Sequence, residues 1–172
     1  MGDVTLLIGG ARSGKSALAV DIGRRHDGDV LFMATAEPFD DDMRSRISRH
    51  RDDRPDWPTV EVPVGLGPAI AAAPGQPLLI LDCLTVWVAN ELHHGGCADA
   101  DAVASALADR SGPSVVITNE VGLGVHPETE LGRTYRDELG RVNQAVASVA
   151  ATTLLMVAGR ALRLGDPWKE LS

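Results

Sequence analysis

"VTLLIGGARSGKSALAV", residues 4–20, decides the fold. An apolar run, residues 4–8, enters a loop in which Gly9, Gly14, Lys15 and Ser16 satisfy the spacing G-x-x-x-x-G-K-S, and a helix-compatible segment, residues 15–25, leaves it. The chemistry explains the residue types. Glycines let successive backbone N–H groups curl toward one phosphate, the helix N-terminus adds partial positive charge, and the lysine bridges the outer phosphates. Ser16 offers its hydroxyl to Mg²⁺. A chance glycine-rich turn would lack the strand before it and the helix after it. The stretch therefore reads as a phosphate-binding P-loop.

Outward from that loop, the chain keeps a strand-helix rhythm. Residues 30–33, 78–81, 114–118 and 152–157 are further short apolar runs, each expected as a strand buried on both faces. Residues 40–51, 102–110 and 131–150 carry helix-compatible spacing. The expected fold class is α/β, a mostly parallel sheet with helices on both faces. Thr59 to Val62 alternates as a short extended piece, and Gly and Pro cluster at residues 55–68 and 74–77, where irregular structure is expected.

Length and composition bound the function. A chain of 172 residues is expected to form one domain, 1–172, around one core. With 16 Lys and Arg against 24 Asp and Glu, the net charge is −8, which disfavours nucleic acid as a partner. Any anion site must be local and built. The sequence shows neither a membrane-length apolar run nor a signal-peptide pattern, and Cys83 and Cys97 lack metal-type spacing, so a cytoplasmic protein with reduced thiols is expected.

A P-loop needs a carboxylate beyond the end of another strand to hold the metal. "LLILDCLT" supplies Asp82 directly after residues 78–81. Ser16 and Asp82 are thus the expected Mg²⁺ ligands. The run Asp40, Asp41, Asp42 reads instead as a helix N-terminus, where the dipole favours negative charge.

"RISRHRDDRPDW", residues 46–57, sets His50 among Arg46, Arg49, Arg51 and Arg54. Two readings stay open on these residues alone. A neutral imidazole can attack phosphorus while nearby cations lower its pKa and neutralise the phosphate under attack, which is the chemistry of a nucleotidyl-histidine. A solvated basic helix end would place the same residues there for the dipole.

Four ordered stretches, "GGARSGKS", "ATAEPFDDDMRSRISRHRDDRPDW", "LLILDCLTVWVAN" and "ITNEVGLGVHP" with "LGRTYRDELGRVNQAVA", resemble the bifunctional adenosylcobinamide kinase and adenosylcobinamide-phosphate guanylyltransferase family of cobalamin biosynthesis. The resemblance spans about residues 5–160. It implies a RecA-like, three-layer P-loop NTPase fold, ATP and GTP as nucleotide substrates, and adenosylcobinamide and its phosphate as acceptors. It places the guanylylated histidine on His50, beside Lys15 as the other catalytic residue. It assigns nucleotide contacts to Gly9, Gly10, Ala11, Arg12, Ser13, Gly14, Lys15 and Ser16, to Ala34, Thr35 and Ala36, to Arg51, Asp52, Asp53 and Arg54, and to Glu61 and Asp82. It also implies a homo-oligomer, with a trimer as the form suggested.

Two other readings compete with that one. A plain small-molecule kinase would use His50 only to bind or orient phosphate, and a nucleotide-dependent switch would act through a partner. Residues 119–144 read either as a loop that contacts the corrinoid or a neighbouring subunit, or as a plain loop and amphipathic helix. His126 departs from the apolar residue many relatives carry there. His93, His94 and His26 read as helix-end residues.

Overall fold

The computed structural model describes residues 2–38, 41, 44, 48, 51, 52 and 54–171. In chain order, β1 (Val4–Gly9) and α1 (Lys15–Arg25) frame the P-loop, followed by β2 (Val30–Ala34), β3 (Thr59–Glu61), α2 (Leu66–Ala72), β4 (Leu78–Asp82) and α3 (Leu84–His93). Then come α4 (Ala100–Asp109), β5 (Ser114–Thr118), α5 (Glu130–Val149), β6 (Thr152–Val157), β7 (Arg160–Leu164) and α6 (Pro167–Glu170). Of the helix expected at 40–51, the described residues Asp41, Arg44, Ser48 and Arg51 are helical.

The seven strands form one sheet in the order β3-β2-β4-β5-β1-β6-β7. Every neighbouring pair is parallel except β6 with β7. Parallel strands need crossovers, and those crossovers place helices on both faces. On one face Leu6, Met33, Leu79, Leu81 and Val116 pack under α2, α3, α4 and α5. On the other Leu7, Phe32, Ile80, Val115 and Ile117 pack under α1 and Trp57. At Gly23 that second layer is tight, since a Cβ there would lie 2.5 Å from Cη2 of Trp57.

Local signals explain the helix boundaries. Asp99 accepts from Ala102 N ahead of α4, and Thr129 accepts from Gly132 N ahead of α5. α2 starts at the end of the Gly- and Pro-rich stretch 55–68 and runs between it and 74–77; Pro68 is tolerated in its first turn, where no intrahelical N–H bond is lost.

One strand departs from expectation. Residues 152–157 were expected to be buried on both faces, yet in β6 only Met156 is buried and Val157 is exposed. The helices pack along β1, β4 and β5, while β6 leads into an antiparallel hairpin at the sheet's end. Ala158 and Gly159, both at positive φ, make its turn. Every residue of β7 is exposed.

Candidate active site

The P-loop is closed around its own lysine. Lys15 is 7% exposed, and its Nζ donates to the carbonyls of Gly9 at 2.8 Å and Gly10 at 2.7 Å and to Ser13 Oγ at 3.2 Å. Burial lowers the lysine's pKa, while Cys83 and Asp82 pull it the other way. Gly14 caps α1 at φ 100°, a conformation that favours glycine. The tip of the β6–β7 hairpin braces the loop, with Gly159 N donating to Ser13 O at 3.0 Å. Ala11 and Arg12 are exposed at the rim.

Sheet register gathers the other expected residues. Glu61 pairs with Ala34, Ala34 with Asp82, Asp82 with Ile117 and Ile117 with Leu7. These five residues form one row across the sheet. Because neighbours in a row share a face, and Ala34, Ile117 and Leu7 pack on the α1 side, the carboxylates of Glu61 and Asp82 belong to that side too. Ser16 and Asp82 accordingly line one cleft of about 370 Å³ with Val20, Phe32, Arg54 and Ile117. A hydroxyl and a carboxylate on one cleft make a hard-oxygen donor set that fits Mg²⁺.

The arginines that follow His50 in the chain come to the same face. Arg54 stacks on Phe32, with Cζ 3.8 Å from the ring centroid, and donates to Thr59 Oγ1 at 3.0 Å. Burial and then Arg51 lower its pKa, with Asp82 opposing. It stays a cation, since guanidinium does not give up its proton at ordinary pH. Arg51 pairs with Glu61 at 2.9 Å, both half-open to solvent. A second, more open cleft of about 600 Å³, lined by Arg51, Arg54, Trp57 and Thr59, adjoins the first through Arg54. Asp52 is exposed, and His50 and Asp53 lie outside the described residues.

Comparison with known proteins decides among the P-loop families. A sequence model of the family described as cobinamide kinase / cobinamide phosphate guanyltransferase matches residues 5–164. The chain belongs to that family. It is 38% identical over 172 residues to the bifunctional adenosylcobalamin biosynthesis protein CobP of Pseudomonas aeruginosa, covering 94% of this chain and 98% of that one. It is 37% identical over 183 residues to the bifunctional adenosylcobalamin biosynthesis protein CobU of Escherichia coli K12, covering 92% and 98%. Among solved structures, an ATPase from the type III secretion system of pathogenic bacteria superposes with a TM-score of 0.51 at 11% identity, covering 99% of this chain and 53% of that one. That likeness concerns the fold alone, a P-loop NTPase sheet, as expected.

In this chain of the cobinamide kinase family, the structure also shows hydrogen-bond partners that the sequence did not reveal. Thr35 is fully buried, and its Oγ1 accepts from Cys83 N at 2.9 Å and donates to Cys83 O at 2.8 Å. Asn90 of α3 donates to Thr35 O at 2.7 Å and Pro63 O at 3.0 Å. Beyond β5, Asn119 N donates to Thr85 Oγ1, and Asn143 Nδ2 donates to Asn119 O. Tyr135 OH donates to Thr85 O at 3.4 Å, and Arg136 donates to Nδ1 of His126 at 2.8 Å. Buried carboxamides inside otherwise apolar helix stripes were the available signal for Asn90 and Asn143.

Proposed function

We propose that this protein phosphorylates adenosylcobinamide with ATP or GTP and then transfers GMP from GTP to adenosylcobinamide phosphate, giving adenosylcobinamide-GDP and pyrophosphate. Membership of the cobinamide kinase / cobinamide phosphate guanyltransferase family supports the pair of reactions. The observation that carries the site is that Ser16, Asp82 and Arg54 share one cleft beside Lys15, with Glu61 in the same row of the sheet as Asp82 and Arg51 paired to Glu61.

In the kinase step the acceptor hydroxyl oxygen attacks the γ-phosphorus, the bond to the β–γ bridging oxygen breaks, the nucleoside diphosphate leaves and the hydroxyl proton is released. Lys15 leaves its carbonyl partners for the phosphates, and the loop amides hold them in line. In the guanylyl step an imidazole nitrogen of His50 attacks the α-phosphorus and pyrophosphate leaves. The acceptor phosphate then attacks the same phosphorus, the P–N bond breaks and the imidazole is restored. Arg51 and Arg54 supply positive charge where the transferring phosphoryl group becomes more negative. Ser16 and Asp82 would hold Mg²⁺, which supplies charge neutralisation for the phosphates when bound.

We further propose that the protein works in the cytoplasm as a homo-oligomer, with a trimer as the expected form. No helix among the described residues is long and apolar enough to cross a membrane. Val157, Leu162, Trp168 and Leu171 are exposed near the chain's end, an apolar surface suited to a subunit contact.

Separate assays of the two steps test the division of labour. Lys15→Ala lowers both rates, whereas His50→Ala lowers guanylyl transfer and spares phosphorylation of adenosylcobinamide. Equal loss of both steps in a normally folded His50→Ala protein refutes the assignment, and phosphorylation without any guanylyl transfer by the unaltered protein supports the plain-kinase reading instead.

A further inference from the structure

We propose that Asn90 is a positioning residue that sets Asp82 for its metal from the opposite face of the sheet; this rests on reading Asp82 as a metal carboxylate. Asn90 sits on α3 among Leu84, Trp87 and Val88 and is 2% exposed. A carboxamide buried in such company must find partners or lose stability. Both bonds from its Nδ2 reach main-chain carbonyls on segments that feed the site, Thr35 just past β2 and Pro63 just past β3.

From Thr35 the connection runs directly to Asp82. Thr35 N donates to Asp82 O at 3.1 Å, and Thr35 Oγ1 bonds both N and O of Cys83. Thr35 therefore holds the peptide that follows Asp82 at both its carbonyl and its N–H, and the next carbonyl as well. α3 itself begins at Leu84, directly after Cys83. The links close a ring, from Asp82 through Cys83 into α3, from Asn90 to Thr35, and from Thr35 back to Asp82. Pro63 ties the exit of β3, and with it Glu61, to the same carboxamide. The α1 face carries the chemistry, and the α3 face holds it in register.

A partner that orients a metal ligand acts on metal affinity more than on overall folding. Loss of such partners costs about 10–100-fold in metal affinity or activity.

The test titrates Mg²⁺ into the full chain with a fluorescent N-methylanthraniloyl GTP and reads nucleotide binding by anisotropy, with the two catalytic steps assayed in parallel. Asn90→Ala and Asn90→Asp, both of which lose the paired donors, are expected to raise the Mg²⁺ concentration for half-maximal binding about tenfold. Thr35→Val is expected to shift it the same way, and Thr35→Ser, which keeps the hydroxyl, is expected to shift it less than Thr35→Val. The Asn90→Ala, Thr35→Val double variant is expected to be no worse than the larger single effect, because the two act in series. A fall in melting temperature with an unchanged Mg²⁺ midpoint in the Asn90 variants overturns the proposal, and so do additive effects in the double variant. Asp82→Asn separates the two ideas. If it shifts the midpoint and the Asn90 variants do not, the positioning role fails alone; if it leaves the midpoint unmoved, the metal reading of Asp82 fails and the proposal with it.

Discussion

The guanidinium of Arg54 lies 3.8 Å from the centroid of the Phe32 ring, in the cleft that Ser16 and Asp82 also line. Stacking fixes the plane of the cation while Thr59 Oγ1 holds one of its nitrogens at 3.0 Å. A lysine in its place keeps the charge but loses the plane and the fork. Arg54→Lys is therefore expected to lower kcat/KM for guanylyl transfer by about tenfold, a loss of ~1.4 kcal/mol of transition-state stabilisation. Steady-state kinetics with GTP varied reads the effect, and a variant within twofold of the unaltered enzyme would rule out the role.

Lys15 makes stability depend on pH in a predictable direction. Burial lowers its pKa from 10.5, so between the lowered value and 10.5 the unfolded chain binds more protons than the folded one. The stability of the nucleotide-free protein relative to Lys15→Met is thus expected to rise as pH climbs through that window. Urea midpoints of the two proteins at pH 8 and pH 10 measure it. A gap that moves the other way contradicts the burial of a charged ammonium in the empty loop.

Thiol titration separates the two cysteines. Burial, reinforced by Asp82, pushes the Cys83 thiol up to about 12, while Cys97 is exposed. At pH 8 Cys83 therefore stays a thiol, and the thiolate is the reactive form. A chromogenic disulfide reagent is expected to count one thiol in the native protein and two in denaturant. Two fast thiols in the native state would mean that the Asp82–Cys83 segment is open to solvent.

Gly23 allows Trp57 to lie against α1. An added methyl would meet Cη2 of Trp57 at 2.5 Å and Cδ1 of Ile80 at 2.8 Å. Overpacking of this kind costs about 1–3 kcal/mol. Gly23→Ala is expected to lower the melting temperature by about 3–8 °C despite the better helix propensity of alanine. Thermal unfolding followed by circular dichroism checks it, and an unchanged or raised melting temperature contradicts the packing of Trp57 on this helix.

Local features carried most of what the sequence revealed. The P-loop announces itself because its glycines, lysine and serine lie within eight residues between a strand and a helix, and Asp82 because it ends a purely aliphatic run. The parallel strands were legible for the same reason. The pairing of Arg51 with Glu61 and the row from Glu61 to Leu7 were not, since they depend on the register of strands far apart in the chain. Nor was β7, whose turn uses an alanine, Ala158, at positive φ where glycine or asparagine is the usual signal. Asn90 hid inside "TVWVANEL", where the apolar stripe reads as core and its one carboxamide as an exception. His50, outside the described residues, rests on its chemistry, a histidine among arginines, and on the spacing of the family it resembles.

A GMP-histidine leaves a covalent mark on the protein that can be read directly. Incubating the pure protein with Mg²⁺ and GTP labelled at the α-phosphate, then quenching and separating protein from nucleotide, reads it in one step. The expected result is protein-bound label that is lost in acid, survives alkali and is absent from His50→Ala. No label on the unaltered protein, or equal label on His50→Ala, would contradict a GMP-histidine at this position.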